Sequence, residues 1–124
     1  MGIKLCISGS RAIRDYPILL KAIEYAKIIP EDIDEIVEGG AQGVDKLAQR
    51  YAKENNLKLV TMNAEWSNLD AKPCVVGENL YGKYNKLAGH NRNRKMIEYA
   101  DMVLAIWDGV SHGTLNAIET AKVS

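Results

Sequence analysis

Three glycine-rich stretches are the places in this chain where residue type and spacing could do chemistry. The fullest is Val37-Glu38-Gly39-Gly40-Ala41-Gln42-Gly43-Val44-Asp45, with three glycines in five residues. An apolar run, Ile36-Val37, enters it, and a helical pattern, Val44, Leu47, Ala48 and Tyr51, leaves it. A strand-to-helix turn so short of side chains lets a ligand lie against bare backbone amides. The helix N-terminus behind it adds roughly half a positive charge. Ser8-Gly9-Ser10-Arg11 repeats the layout near the start, and the stretch from Asp108-Gly109 to Gly113-Thr114 repeats it near the end. A single glycine turn is commonly a packing device. Three in one chain point to a ligand site, and phosphate is the anion most often bound this way.

Around these turns stand a few charged and aromatic candidates. Arg92 begins a helical pattern that should point at the turns, and a guanidinium there can grip phosphate through a fork of two hydrogen bonds. Arg11 follows the first turn directly and would be a second clamp, whereas Arg94 and Lys95 are expected to be solvated. Asp45 lies in the first turn of its helix, where a carboxylate either accepts a ribose hydroxyl and orients water or simply stabilises the helix N-terminus. Trp66 and Tyr84 either stack on a base or pack their own segment onto the body of the protein. His90 and His112 have no ligand-spaced partner, so no metal site is expected, although His112 could touch a phosphate from the last turn. Glu119, one turn into the last helix, reads first as a solvated residue and second as a catalytic acid.

The familiar nucleotide motifs are missing. Only one glycine occurs in Ser8-Gly9-Ser10-Arg11-Ala12-Ile13, so there is no Gly-x-Gly-x-x-Gly after the first strand, and there is no Gly-Lys-Ser/Thr. Sixteen basic and sixteen acidic residues balance, which removes any global field for gathering nucleic acid or anionic membrane. No apolar run is long enough to span a bilayer, and the amino terminus leads straight into a strand-like run rather than a secretory signal. Cys6 and Cys74 are isolated, with Cys6 inside an apolar strand, so a reducing, cytoplasmic setting is expected. With 124 residues the chain should be one domain spanning 1–124, burying about two thirds of its unfolded surface.

The elements that must position these residues alternate. Ile3–Ile7 reads as a strand, and Tyr16, Leu19, Leu20, Ile23 and Ala26 form a helical stripe with Pro17 in its first turn. The second strand and the main glycine turn follow, then a helix closing near Asn55-Asn56 and a third strand over Leu57–Met62. Residues 63–90 lack periodicity and are too long for an ordinary connection, so a functional or partly helical segment is expected. Arg92–Ala100 is helical, Met102–Trp107 should be a central buried strand, and Leu115, Ile118 and Ala121 mark a last helix. Strands alternating with helices give an α/β fold whose parallel sheet is covered on both faces. Its strand-to-helix turns must then share one edge.

Four motifs in this order resemble the YspA-like branch of the SLOG superfamily, which includes DprA-like proteins and the Lonely Guy enzymes. They are Ser8-Gly9-Ser10-Arg11, Gly39-Gly40-Ala41-x-Gly43-x-Asp45, Ala88-Gly89-x-x-Arg92-Asn93-x-x-Met96 and Asp108-Gly109-x-Ser111-x-Gly113-Thr114. The resemblance implies a Rossmann-like three-layer sandwich and a pocket for a nucleotide or nucleotide derivative formed by these residues. It also implies a homodimer built on helices. His90 stands where the branch usually has proline, and no further strand of the family's kind follows the last helix before Ser124.

Lonely Guy enzymes hydrolyse the N-glycosidic bond of nucleoside monophosphates with an arginine and a glutamate. The resemblance puts Arg92 on that arginine and Met96 on the methionine after it, but Ala117 falls where the glutamate belongs, with Glu119 two residues beyond. The first expectation is therefore a nucleotide sensor or binding module needing no certain cofactor. The alternative is an N-glycosidase using Arg92 with Asp45, Asp108 or Glu119. A DprA-type single-strand binder comes third, because it needs a basic groove that this charge balance does not offer.

Overall fold

The computed structural model describes residues 2–80 and 82–106. The expected last turn and helix, with Asp108, Gly109, Ser111, His112, Gly113, Thr114, Ala117 and Glu119, lie outside the described residues.

Strand β1 (Ile3–Gly9) leads to helix α1 (Tyr16–Tyr25), and strand β2 (Ile33–Glu38) leads to helix α2 (Val44–Glu54). Strand β3 (Lys58–Thr61) is followed by a hairpin of β4 (Val76–Asn79) and β5 (Gly82–Asn85), then helix α3 (Ala88–Tyr99) and strand β6 (Met102–Ile106). The main sheet runs β3-β2-β1-β6 and every pairing in it is parallel, with Cys6 opposite Val37 and Val103.

Alternation along β1 and β2 builds two cores. Leu5, Ile7 and Ile36 face one side, where Leu19 and Ile23 of α1 and Val44, Leu47, Ala48 and Tyr51 of α2 cover them. Cys6 and Val37 face the other side under Met96 of α3. Both sheet faces are thus covered by helices, as the α/β reading requires. The stripe on α1 is narrower than its sequence suggests: Leu19 and Ile23 are buried, while Leu20 and Ala26 are exposed.

Both helices on the first face end in the same way. Lys27 and Asn56 take left-handed φ of 59° and 53°. The next residues, Ile28 and Leu57, turn their amides back to Ile23 and Ala52 carbonyls. This is the Schellman arrangement, which satisfies carbonyls that the helix leaves open.

Three sequence expectations are sharpened or corrected. Met102–Trp107 was expected in the centre of the sheet, but β6 pairs with β1 alone among the described residues and leaves Met102 46% exposed. Its apolarity has another cause: Val103 packs on the α3 side while Leu104 and Ile106 pack on the α1 and α2 side. Segment 63–90 is helical only at its end, where α3 starts at Ala88, and contributes a β-hairpin before it. Gly77 sits beneath the Tyr84 ring, where any Cβ would meet ring carbons at 2.8 and 2.9 Å. Tyr84 therefore packs its own hairpin. Finally, α3 begins at Ala88, four residues before the expected start, so Arg92 is in its second turn.

Candidate functional site

In an all-parallel sheet the carboxyl ends of the strands define one edge, and the first two glycine turns meet there in direct contact. A Cβ on Gly9 would run into Val44 of α2, so glycine lets the helix start abut β1. At Gly43, φ is 75° and a Cβ would collide with the carbonyl oxygens of Ser10 and Arg11. Val44 N–H donates to the Ser10 carbonyl at 3.3 Å, tying the two turns together. Ser8 and Ser10 are buried behind this contact, while Arg11 is exposed.

The amides of the second turn are largely engaged within it. Gly40 N–H donates to Glu38 Oε2, and Ala41 N–H donates to Asp45 Oδ2 at 3.1 Å. Glu38, fully buried, also accepts from Thr61 Oγ1 at 2.6 Å and Gln49 Nε2 at 3.0 Å. The sequence suggested bare amides waiting for an anion; the fold instead commits these to two carboxylates. The cationic character of this edge therefore comes from side chains, and Asp45 is an acceptor within it.

Arg92 is the cation nearest the turn. Its Nη1 donates to the Gly39 carbonyl at 2.7 Å and its Nε donates to Asn93 Oδ1 at 3.0 Å. Gly39 is required here, because a Cβ would overlap the guanidinium. The Arg92 pKa is lowered chiefly by burial and further by Arg11, against the raising fields of Asp45 and Glu38. Burial also raises Asp45, helped by Glu38; the Ala41 N–H bond and Arg92 oppose the shift. The Cys6 thiol beneath them is pushed up to about 12, mainly by burial, and is an inert core group rather than a nucleophile.

These groups surround a cavity of about 250 Å³. Ser8, Gly9 and Ala41 form its sheet-edge wall, and Arg11, Lys86 and Arg92 bring three cations to it. Asp45, Trp66, His90 and Asn93 complete the polar and aromatic lining. A neighbouring space of about 230 Å³, bounded by Gly39, Gly40, Asn63 and again Trp66 and Arg92, continues from it. Trp66, 44% exposed, is held in place from behind: its carbonyl accepts Asn85 N–H at 2.6 Å. Gly89 lies beside its ring, where an added Cβ would come within 3.5 Å.

A family model, described as the YspA, cpYpsA-related SLOG family, matches residues 3–68, more than half of the chain. The chain belongs to this SLOG family. The matched span includes both glycine turns, Asp45 and Trp66; Arg92 and Asn93 lie beyond it. No curated protein and no solved structure matches the chain. SLOG membership associates the domain with nucleotide-related binding or modification.

Within the SLOG domain the sequence-selected Ser8, Gly9, Arg11, Ala41, Asp45, Arg92 and Asn93 converge on the cavity, with Gly39 and Gly40 on its continuation. Ser10 and Gly43 serve the packing of the two turns. Among the described residues no cluster of His, Cys, Asp or Glu suits a metal ion, and no helix is long and apolar enough to cross a membrane. Glu38, Lys86, Asn85 and Asn91 were not selected from sequence. Asn85 Oδ1 accepts the Leu87 amide at 2.9 Å, and Asn91 Nδ2 donates to the Pro73 carbonyl at 2.9 Å, so both pin the segment that carries Trp66 and Lys86. The available signal was a carboxylate closing an apolar strand directly before two glycines.

Proposed function

We propose that this SLOG domain binds a nucleotide or nucleotide-derived ligand at the carboxyl edge of its sheet, acting as a sensor or binding module. The carrying observation is the convergence of Arg11, Lys86 and Arg92 with Trp66 and Asp45 around one cavity. The three cations suit phosphate, Trp66 offers a face for a base, and Asp45 is an acceptor suited to ribose hydroxyls. Calorimetric titration with AMP is the test. Arg92→Ala and Arg11→Ala should each weaken binding, and unchanged affinity in both folded variants would remove this cavity from the function.

Cleavage of the glycosidic bond is the second reading, favoured by one observation. Arg92, a cation suited to a phosphate, and Asp45, a carboxylate, line the same cavity, and these are the two kinds of group that cleavage needs. Asp45 Oδ2 is engaged by Ala41 N–H, however, which suits a fixed acceptor more than a proton carrier. Release of free base from AMP, GMP, CMP or UMP is therefore expected to be slow or absent when followed by chromatography. Turnover abolished by Asp45→Asn would make the enzyme reading correct.

A further inference from the structure

The space at the sheet edge continues past Arg92. Around the turns of α3, Gly89, Asn93 and Met96 share the side that lines the crevice. Ala88, Asn91 and Lys95, also three to four residues apart, share the adjacent side and wall a second groove of about 340 Å³. Met62, Asn63 and Asn68 also line that groove. Arg92 stands on the ridge between the two sides and borders both spaces. The smaller space that shares Trp66 with the crevice and Asn63 with the groove borders Arg92 as well.

The second groove repeats the charge of the first. Its charged lining is Lys72, Arg92, Arg94 and Lys95 against Glu65 alone. Glu65 approaches Lys95 only to 3.9 Å, between side chains 63% and 59% exposed for Lys95 and Glu65, so the positive excess is not neutralised. Arg94 is exposed, as the sequence leads one to expect, and donates at 3.5 Å to the Lys72 carbonyl. The crevice carries Arg11, Lys86 and Arg92 against Asp45. Two cationic ends are thus separated by an aromatic face, Trp66, and a shared guanidinium.

Resting on the nucleotide-binding reading, we propose that the ligand is a nucleoside bearing two separated phosphate groups. One phosphate occupies the glycine crevice, the nucleoside passes Trp66 and Arg92, and the second phosphate lies in the groove of Arg94 and Lys95. A singly phosphorylated nucleotide would use one cationic end and leave the other to solvent.

Calorimetric titration of the full chain with AMP and with adenosine 3′,5′-bisphosphate decides the matter, in the parent and in Arg94→Ala/Lys95→Ala. The bisphosphate should bind about tenfold tighter or better, the scale of one charge-assisted contact. The double variant should lose that advantage while its AMP affinity stays the same. Arg94→Gln/Lys95→Gln, which keeps the aliphatic stems, gives the same readout if the alanine variant unfolds at lower temperature. Equal affinity for both ligands, or an advantage that survives the double variant, overturns the two-phosphate proposal and leaves nucleotide binding standing. Binding of neither ligand to the parent overturns both.

Discussion

Arg92 has two roles that different substitutions can separate. It holds the Gly39 carbonyl from α3, and it borders the cavity as a cation. Arg92→Ala should lose about tenfold to hundredfold in AMP affinity, because a charge-assisted contact is worth roughly 1.5–3 kcal/mol. It should also lower stability by about 1–3 kcal/mol in urea unfolding, since the Gly39 carbonyl loses its donor. Arg92→Lys keeps a charge but not the planar fork, so part of the affinity and little of the Gly39 bond should survive. Loss of stability without loss of affinity would make Arg92 a structural brace only. Glu38 belongs to the same residue scale. Glu38→Gln puts an amide donor opposite either the Gly40 N–H or the Thr61 and Gln49 donors that share Oε1, and about 1–3 kcal/mol of stability should go with it.

Asp45 gives a pH signature of known sign. Its folded pKa lies above the ordinary value of 3.8, so the folded chain binds the proton more tightly than the unfolded chain does. Between those two pKa values the unfolded state holds fewer protons, and stability attributable to Asp45 falls as pH rises. Below 3.8 the penalty is absent, and above the folded pKa it is complete. Asn at this position can still accept the Ala41 N–H without ionising. The stability of Asp45→Asn relative to the parent should therefore rise with pH across the acid range and then level off. A flat difference between the two unfolding curves would show that Asp45 is not perturbed by burial.

At the scale of elements, the two glycine turns hold the site together. Gly43→Ala meets two penalties at once, a positive φ with ψ of −127° costing about 1–3 kcal/mol and a collision with Ser10 and Arg11 backbone. Gly82→Ala is the control: its φ is also positive, at 121°, but among the described residues nothing lies within 4 Å of an added Cβ. Urea unfolding should rank Gly43→Ala as much the more damaging. Equal effects would mean that backbone conformation alone matters and that the turns are not wedged together.

The same comparison shows what the sequence made legible. Glycine spacing, alternation in Leu5-Cys6-Ile7 and the α2 stripe reported local geometry directly, because each reflects contacts made within a few residues. The hairpin of Val76–Asn79 with Gly82–Asn85 was hidden because what fixes it leaves no period: a glycine beneath the Tyr84 ring, and bonds from Asn85 to the Trp66 carbonyl and from Asn91 to the Pro73 carbonyl. The α3 start was obscured by Gly89, a poor helix former in its first turn. Engagement of the turn amides by Glu38 and Asp45 could not be read, since hydrogen bonds between strand end and turn leave no period in the sequence.

For the whole molecule, a neutral chain concentrates cations at one edge of a parallel sheet, where both described glycine turns and α3 converge. The local field is therefore what distinguishes the site, and added salt should weaken ligand binding through the exposed Arg11 while leaving the fold intact. The most direct measurement is the thermal unfolding midpoint of the full chain with nucleoside mono-, di- and triphosphates, NAD, ADP-ribose and cyclic nucleotides in excess. A ligand bound only by the native state adds about 2.7 kcal/mol of stability at roughly 100 times its Kd. At least one phosphorylated nucleoside should raise the midpoint by several degrees, and Arg92→Ala should abolish most of that rise. An unchanged midpoint with every nucleotide in the panel would contradict the nucleotide-binding account.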